Sequence, residues 1–109
     1  MLFKQKLKEQ LNNGVTTLIL DLRNNSGGLL KHALAIGSLF SNSGTLATIH
    51  KKNKAPKELK ARGHAIGKHL NIVILINNGT ASSAEILASA LRHNNEAVLI
   101  GTESFGKAS

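Results

Sequence analysis

One continuous stretch, residues 77–107, restricts the fold more than any other part of the chain. It begins where the apolar run at 72–76 ends, turns through Gly79, continues as small and apolar residues, and returns through a second apolar run at 97–100. A strand, a glycine turn, a helix and a second strand with short connections are typical of a βαβ unit. We therefore predict two parallel strands with a helix over residues 80–93 between them.

The first half of the chain shows a similar alternation. Residues 15–22 are apolar on both alternating faces apart from two threonines, which favours a buried parallel strand. A turn with two glycines follows, and apolar residues at helical spacing predict a helix over 29–40. Leu2–Asn12 also has near-helical spacing, ending before Gly14. The predicted fold class is α/β, with βαβ units and a mostly parallel sheet covered by helices.

The middle of the chain does not fit this alternation. Residues 45–50 predict a strand, whereas 51–67 carry many charges and favour an exposed hairpin or loop. Pro56 argues against a central strand there. Residues 51–68 contain one acidic residue, Glu58, and a larger set of basic residues: Lys51, Lys52, Lys54, Lys57, Lys60, Arg62 and Lys68.

The net charge of +8, from 14 Lys and Arg against 6 Asp and Glu, raises the question of an anionic partner. The chain has three aromatic residues, all Phe, so it lacks the stacking platforms expected of a protein that binds single-stranded nucleic acid. No known nucleic-acid-binding motif accompanies the charge. We interpret the lysines as a solvated loop and helix face and predict no nucleic-acid partner. Nucleic-acid binding through residues 51–68 stays open as a third hypothesis.

Length and composition limit the remaining classes. At 109 residues the chain has room for one domain, and no linker or repeat divides it. It has no cysteine, which excludes a disulfide, a thiol nucleophile and a thiolate metal site. The longest apolar run, at 71–78, is too short to span a bilayer, and the charges within residues 1–11 do not resemble a signal peptide. We predict no membrane span and no signal peptide in this chain.

A serine and a lysine lie where chemistry is expected. The turns after residues 22 and 76 follow the carboxyl ends of predicted strands, where sites of open α/β sheets form. Ser82 lies near a predicted helix N-terminus, whose free N–H groups and dipole favour an oxyanion. Its hydroxyl needs a base to act as a nucleophile. Lys107 could reach it from the neighbouring strand end. A lysine acts as a base only when it is neutral, so its pKa would have to fall from about 10.4 toward about 7 to 8.

Histidine is the commonest base, but the sequence does not favour one here. The chain has five: His32, His50, His64, His69 and His93. None lies in a turn that converges on Ser82, and Asp21, the one aspartate, is predicted within a buried strand beside Arg23. We therefore do not predict a Ser/His/Asp triad. The residues alone leave two interpretations open: a Ser82/Lys107 hydrolytic pair, or a helix-capping serine and a solvated lysine.

Three motifs resemble the carboxyl-terminal processing proteases, the tail-specific Ser/Lys peptidases of the S41 type. They are L-I-L-D-L-R-N-N-S-G-G-L-L at 18–30, N-N-G-T-A-S-S-A-E-I at 77–86 and G-T-E-S-F-G-K-A-S at 101–109. Together and in this order they are far more specific than any one of them. The resemblance covers essentially the whole chain. It implies a core related to the Clp-protease and crotonase group, a serine endopeptidase that cuts near protein carboxyl termini, and no cofactor or metal.

The resemblance also implies roles for individual residues. The nucleophile falls on Ser82 and the general-base lysine on Lys107, with the family's separation between them. The backbone N–H groups of Gly28 and Ser83 would form the oxyanion hole. Supporting roles fall on three further residues: Gly27, Gly79 and Glu85.

The family context sets further expectations. Its members act outside the cytoplasm, which implies an extracytoplasmic location in the periplasm or cell envelope, and a PDZ domain usually guides their protein substrates. This chain has no PDZ domain, and position 111, where a glutamine often orients the lysine, lies past Ser109. We interpret residues 1–109 as a partial S41-like catalytic domain, truncated at both ends. The alternative is an inactive peptidase-fold fragment that binds peptides or partners, with exposed edges favouring a homo-oligomer.

Overall fold

The computed structural model describes residues 2–41, 44–50, 52–61 and 65–104. Its elements, in chain order, are α1 (Leu2–Asn12), β1 (Thr17–Asp21), α2 (Leu30–Gly37), β2 (Thr45–Ile49), β3 (Lys57–Lys60), β4 (Asn71–Ile76), α3 (Ser83–Asn95) and β5 (Val98–Gly101). Each predicted helix and strand is present within a few residues of its expected bounds. The main differences are that α3 begins at Ser83 rather than at residue 80, and that residues 38–40 form a turn after α2. None of the helices in the described ranges is both long and apolar enough to cross a membrane.

Three strands form the parallel sheet predicted from the sequence. Their order is β1-β4-β5, and both pairings are parallel. In the register, Leu20 lies beside Ile74, and Ile74 beside Leu99. The carboxyl ends of β1 and β4 therefore lie next to each other, which brings the two turns that follow them to one edge of the sheet.

Of the hairpin and the loop that the charges of the middle segment left open, the structure shows a hairpin, formed by β2 and β3. β2 and β3 pair antiparallel in a separate two-stranded sheet, and Pro56 lies just before β3. Leu46 and Leu59 are buried and share a small cavity with residues of α2 and α3. These two leucines anchor the hairpin to the helices, while its polar side chains point outward.

The hydrophobic core lies on one face of the parallel sheet. Ile72, Ile74 and Ile76 alternate along β4 and are almost fully buried, as the period of a strand requires. Leu87 and Leu91 of α3 belong to the same buried cluster. Burial of a large apolar side chain contributes on the order of 1.5–3 kcal/mol. The cluster therefore holds α3, and the turn that precedes it, firmly against the sheet.

The prediction that β1 is a buried strand is wrong for its outer face. Ile19 is 63% exposed and pairs with Val73 of β4, which in turn pairs with Val98 of β5, a residue that is 55% exposed. Ile100 is 52% exposed on the same face. The sequence shows that these side chains are apolar. It does not show that the core-forming helices of the described residues all pack on the opposite face.

Candidate active site

Two turns meet at the carboxyl ends of β1 and β4 and are held together by asparagine side chains. The backbone N–H of Asn24 donates to Oδ1 of Asn77 at 2.9 Å, and Nδ2 of Asn77 donates to Oδ1 of Asn24 at 3.0 Å. The backbone N–H of Ala81 donates to the carbonyl oxygen of Asn25 at 3.0 Å. These bonds fix the position of the first turn relative to the second.

Thr80 and Gly79 complete the junction. Thr80 has no exposed surface, and its hydroxyl donates to the carbonyl of Leu22 at 2.6 Å while accepting the N–H of Asn77 at 3.1 Å. A Cβ on Gly79 would lie 2.9 Å from Cα of Asn24, so the close approach of the two turns requires a glycine there. The turn is therefore shaped by packing as well as by hydrogen bonds.

Ser82 immediately precedes α3 in a strained backbone conformation. Its φ is 58° and its ψ is −128°, a region that residues other than glycine rarely adopt. Its backbone N–H donates to Oε1 of Glu85 at 3.0 Å, and the residue is exposed. A serine on a sharp turn between a strand and a helix presents its hydroxyl at the helix N-terminus, which is also the position of the nucleophilic serine in α/β-hydrolases.

The carboxylate of Glu85 joins this turn to the segment after β5. Its second oxygen, Oε2, accepts a hydrogen bond from the hydroxyl of Ser104 at 2.8 Å, and Ser104 is buried. Sequence reasoning assigned Glu85 a supporting role without a partner and missed Ser104. The signal was the third motif, which contains Ser104 three positions before Lys107.

The first glycine turn packs directly against Ser82. Gly27 has a φ of +106°, and a Cβ at this position would lie only 2.7 Å from Cβ of Ser82. Ser83 is buried, and its hydroxyl donates to the carbonyl of Gly28 at 3.2 Å. Among the described residues, the backbone N–H groups of Gly28 and Ser83 donate to no protein acceptor. Two amides close to an exposed serine hydroxyl thus stay available to a ligand oxygen.

Asp21 lies at the exposed end of β1, and its expected place inside a buried strand is wrong. Arg23 donates to both carboxylate oxygens, from Nε at 3.0 Å and from an Nη nitrogen at 2.9 Å, and its backbone N–H also donates at 3.0 Å. The side-chain hydrogen bonds from Arg23 lower the pKa of Asp21 to about 2. The carboxylate is engaged with Arg23, so the geometry gives it no role as a base for Ser82.

An apolar cleft of about 340 Å³ opens beside the glycine turn. Gly27, Gly28 and Ser83 form one wall. The rest of the lining comes from α1, β1, α2, α3 and the segment between β1 and α2, and it includes eight apolar side chains: Phe3, Leu20, Leu22, Leu29, Ala33, Ile36, Ala84 and Leu87. Its volume lies near the lower end of the roughly 300–1,000 Å³ typical of ligand pockets. The cleft is suited to an apolar side chain of a ligand whose polar group lies at the two free amides.

The structure gathers six of the predicted site residues at this edge of the sheet: Ser82, Ser83, Gly27, Gly28, Gly79 and Glu85. Lys107, the predicted base, lies outside the described residues. The described histidines at 32, 50, 69 and 93 are exposed, and of these only His32 borders the cleft. The part of the chain that the structure describes contains no group of three or more histidines and carboxylates able to hold a metal ion.

The sequence matches peptidase family S41 over residues 1–109. The chain belongs to this family. The S41 relatives include the carboxyl-terminal-processing protease of Synechocystis sp. (strain ATCC 27184 / PCC 6803 / Kazusa), 40% identical over 102 residues, which are 94% of this chain and 23% of that protein. Carboxyl-terminal-processing peptidase 3, chloroplastic, of Arabidopsis thaliana is 40% identical over 101 residues, which are 91% of this chain and 19% of that protein.

A solved S41-type structure shows the same fold. The photosystem II D1 C-terminal processing protease matches with a TM-score of 0.87 and 34% identity, over 94% of this chain and 27% of that one. The α/β class and the S41 fold expected from the motifs are therefore confirmed. The chain spans about a fifth of the length of the curated relatives it matches.

Proposed function

We propose that this chain carries the nucleophile and oxyanion hole of a serine endopeptidase that cleaves proteins near their carboxyl termini. The observation that carries the proposal is the contrast between two adjacent serines. Ser82 is exposed and strained at the N-terminus of α3, whereas the hydroxyl of Ser83 is buried and donates to Gly28. Of these two serines, Ser82 is the one that combines an accessible hydroxyl with neighbouring free amides.

In the proposed mechanism the Ser82 hydroxyl attacks the carbonyl carbon of the scissile peptide bond. The backbone N–H groups of Gly28 and Ser83 stabilise the negative charge that develops on the carbonyl oxygen. A base takes the hydroxyl proton and returns it to the leaving amine, which gives an acyl-enzyme on Ser82. Water then attacks the ester carbon and loses a proton to the same base. The ester C–O bond breaks, the base returns that proton to the Ser82 oxygen, and the new carboxyl terminus is released.

Lys107 is the proposed base, and two arguments support it. The family resemblance places the general-base lysine at this position. In addition, Glu85 holds Ser104 beside the Ser82 turn. Three further residues span at most about 10 Å, so the length of the chain allows a lysine at position 107 to reach that turn. Lys107 acts as a base only when neutral, so the rate is expected to rise with pH through the pKa of its ammonium group.

Substrate and location complete the proposal. The substrate is a protein or peptide with an accessible carboxyl-terminal segment, and the apolar cleft next to Gly28 receives a side chain beside the scissile bond. The resemblance to tail-specific proteases is the basis for the carboxyl-terminal preference. It is also the basis for an extracytoplasmic location, in the periplasm or cell envelope.

Covalent labelling tests the nucleophile and the base. A fluorescent phosphonate that reacts with activated serines should label the wild-type chain at Ser82, with the site mapped by mass spectrometry. Labelling should be lost in Ser82→Ala and in Lys107→Ala, and kept in the neighbouring control Ser83→Ala. Equal labelling of the wild type and Lys107→Ala would exclude Lys107 as the base, and a phosphonate found on Ser83 would exclude the assigned nucleophile.

Cleavage of a protein or peptide substrate tests whether the chain is a peptidase. The chain should cleave casein or a peptide with an apolar carboxyl-terminal tail, and products should map to bonds near that terminus. The Ser82→Ala variant provides the background rate at the same concentration. Absence of turnover from a folded, phosphonate-reactive chain would favour the alternative of a domain that binds peptides without hydrolysing them.

A further inference from the structure

The β2–β3 hairpin presents an excess of positive charge that the proposed mechanism does not use. Lys52, Lys54, Lys57 and Lys60 are exposed in and around it. Among the described hairpin residues, Glu58 is the one carboxylate, and it lies 3.9 Å from Nζ of Lys60. Exposed ion pairs at that distance neutralise little. The lysines near the tip therefore keep their charge available to a partner.

The hairpin begins beside the C-terminal turn of α3 and packs against the middle of that helix. At its base, Nδ2 of Asn94, in the last turn of α3, donates to the carbonyl of Thr45 at the start of β2. Leu46 and Leu59 then share a cavity with Ile86 and other residues of α3. Four residues of strand cover about 13 Å, and the helix from residue 94 back to 83 is about 16 Å long.

Because Thr45 is hydrogen-bonded to Asn94 and the next residue, Leu46, lines a cavity with Ile86 and Leu87, β2 is directed from the C-terminal turn of α3 toward its N-terminal half. Ile49 pairs with Lys57 at the outer end of the ladder, and Lys52 and Lys54 lie beyond it. This direction carries Lys52 and Lys54 away from the C-terminal turn of α3 and toward the half of the helix that begins at Ser83. The opposite end of the hairpin, at Lys60, lies near the C-terminal turn of α3 through its pairing with Thr45.

We propose that the hairpin tip, residues 52–57, binds acidic segments of protein substrates and guides them to Ser82. The tip sequence K-N-K-A-P-K has no aromatic side chain to stack on bases and no large apolar side chain to enter a bilayer. An acidic polypeptide needs only the charges, and it is the kind of partner that a peptidase acts on. This inference names the substrate class and so rests on the proposed function.

The expected effect is electrostatic and therefore depends on salt. Complementary charge raises association rates by about 10- to 1,000-fold at low ionic strength. The Debye length shortens from about 30 Å at 0.01 M to about 3 Å at 1 M, which removes long-range attraction between exposed charges. Preference for acidic substrates should thus be strong at low salt and absent at high salt.

Binding is measured separately from hydrolysis by using the Ser82→Ala chain. Two fluorescent peptides share one apolar carboxyl-terminal tail and differ in a preceding run of six residues, Glu in one and Gln in the other. Anisotropy at low salt should show at least tenfold tighter binding of the Glu peptide. The charge reversal Lys52→Glu/Lys54→Glu should abolish the difference, as should high salt.

A matched double variant tests whether the preference depends on the position of the lysines or only on the net charge of the chain. Lys60→Glu/Lys68→Glu changes the net charge by the same amount but lies toward the other end of α3, and it should keep most of the preference. Equal losses in both variants, or no loss in the tip variant, would overturn the proposal. So would tighter binding of a DNA duplex or of phosphatidylglycerol vesicles than of the Glu peptide. If the peptides bind as expected but the catalytic chain cleaves neither, the proposed function fails and the docking surface stands.

Discussion

Ser82 keeps a backbone conformation that costs free energy. A serine at positive φ outside the helical regions loses on the order of 1–3 kcal/mol relative to relaxed backbone. The surrounding structure holds it there, since its N–H is bound by Glu85 and its neighbour Ala81 is bound to the first turn. Strain of this kind at an exposed hydroxyl is characteristic of functional turns, which is why the proposal is centred on this residue.

The two glycines of the first turn should respond differently to alanine. At Gly27, with φ at +106°, the added Cβ would meet Cβ of Ser82 and the carbonyl of Ala81, so Gly27→Ala should destabilise the protein by about 2 kcal/mol or more. At Gly28 a Cβ meets no atom within 4 Å, and Gly28→Ala keeps the backbone N–H. Urea unfolding should place Gly28→Ala within about 1 kcal/mol of wild type. Similar losses for both variants would contradict the assigned contact with Ser82.

The ion pair of Asp21 with Arg23 should make the stability of the protein depend on pH in the acid range. Arg23 lowers the pKa of Asp21 from the ordinary value of 3.8 to about 2, so the carboxylate stays ionised in the folded protein under conditions where the unfolded chain binds a proton. Its contribution to stability is present above about pH 4 and is lost as the pH falls to about 2. NMR titration of the Asp21 carboxyl carbon should give a midpoint near 2, returning toward 3.8 in Arg23→Gln. An Asp21 midpoint near 3.8 in the wild type would show that the ion pair does not persist in solution.

At the scale of elements, Glu85 couples the start of α3 to the segment after β5. One carboxylate oxygen accepts the Ser82 N–H and the other accepts the Ser104 hydroxyl. A double-mutant cycle of Glu85→Ala and Ser104→Ala should give a coupling energy of about 1–2 kcal/mol, measured by chemical unfolding. The same variants should slow phosphonate labelling of Ser82, with partial recovery in Glu85→Gln, which keeps one acceptor oxygen. As a control, Glu9→Ala and Ser104→Ala should have additive effects on the free energy of unfolding, because Glu9 lies on α1. Additive effects of Glu85→Ala and Ser104→Ala would show that Glu85 and Ser104 are not coupled.

The order and type of the elements were predictable because local patterns determine them. Helical spacing in Leu2–Asn12 and the apolar run of β4 each fix an element without long-range information. Contacts between distant residues were not predictable in this way. The bond from Glu85 to Ser104 and the pairing of Asn24 with Asn77 depend on how the turns meet, which no local period encodes. The match to the family motif selected Ser82 as the predicted nucleophile. The difference in exposure between Ser82 and Ser83 became visible only in the fold.

The exposure of β1 shows a second limit of sequence patterns. An apolar strand with hydrophobic residues on both faces predicts cover on both faces, since parallel sheets are usually buried on both sides. In the described residues the core forms on the face of Ile74, and the face of Ile19 is left open. Apolar composition therefore reveals that a surface favours burial, but it does not identify what covers the surface.

At the scale of the whole molecule, the open sheet face should drive self-association. Ile19, Val98 and Ile100 together make an apolar surface that water solvates poorly. Sedimentation velocity should show association that increases with concentration, and the double variant Ile19→Thr/Ile100→Thr should weaken it because threonine suits a strand but is less apolar. Leu2→Thr is the control, since Leu2 is 69% exposed but lies on α1. A wild-type chain that stays monomeric at tens of micromolar, or association lost equally in Leu2→Thr, would show that this face does not mediate contact between copies.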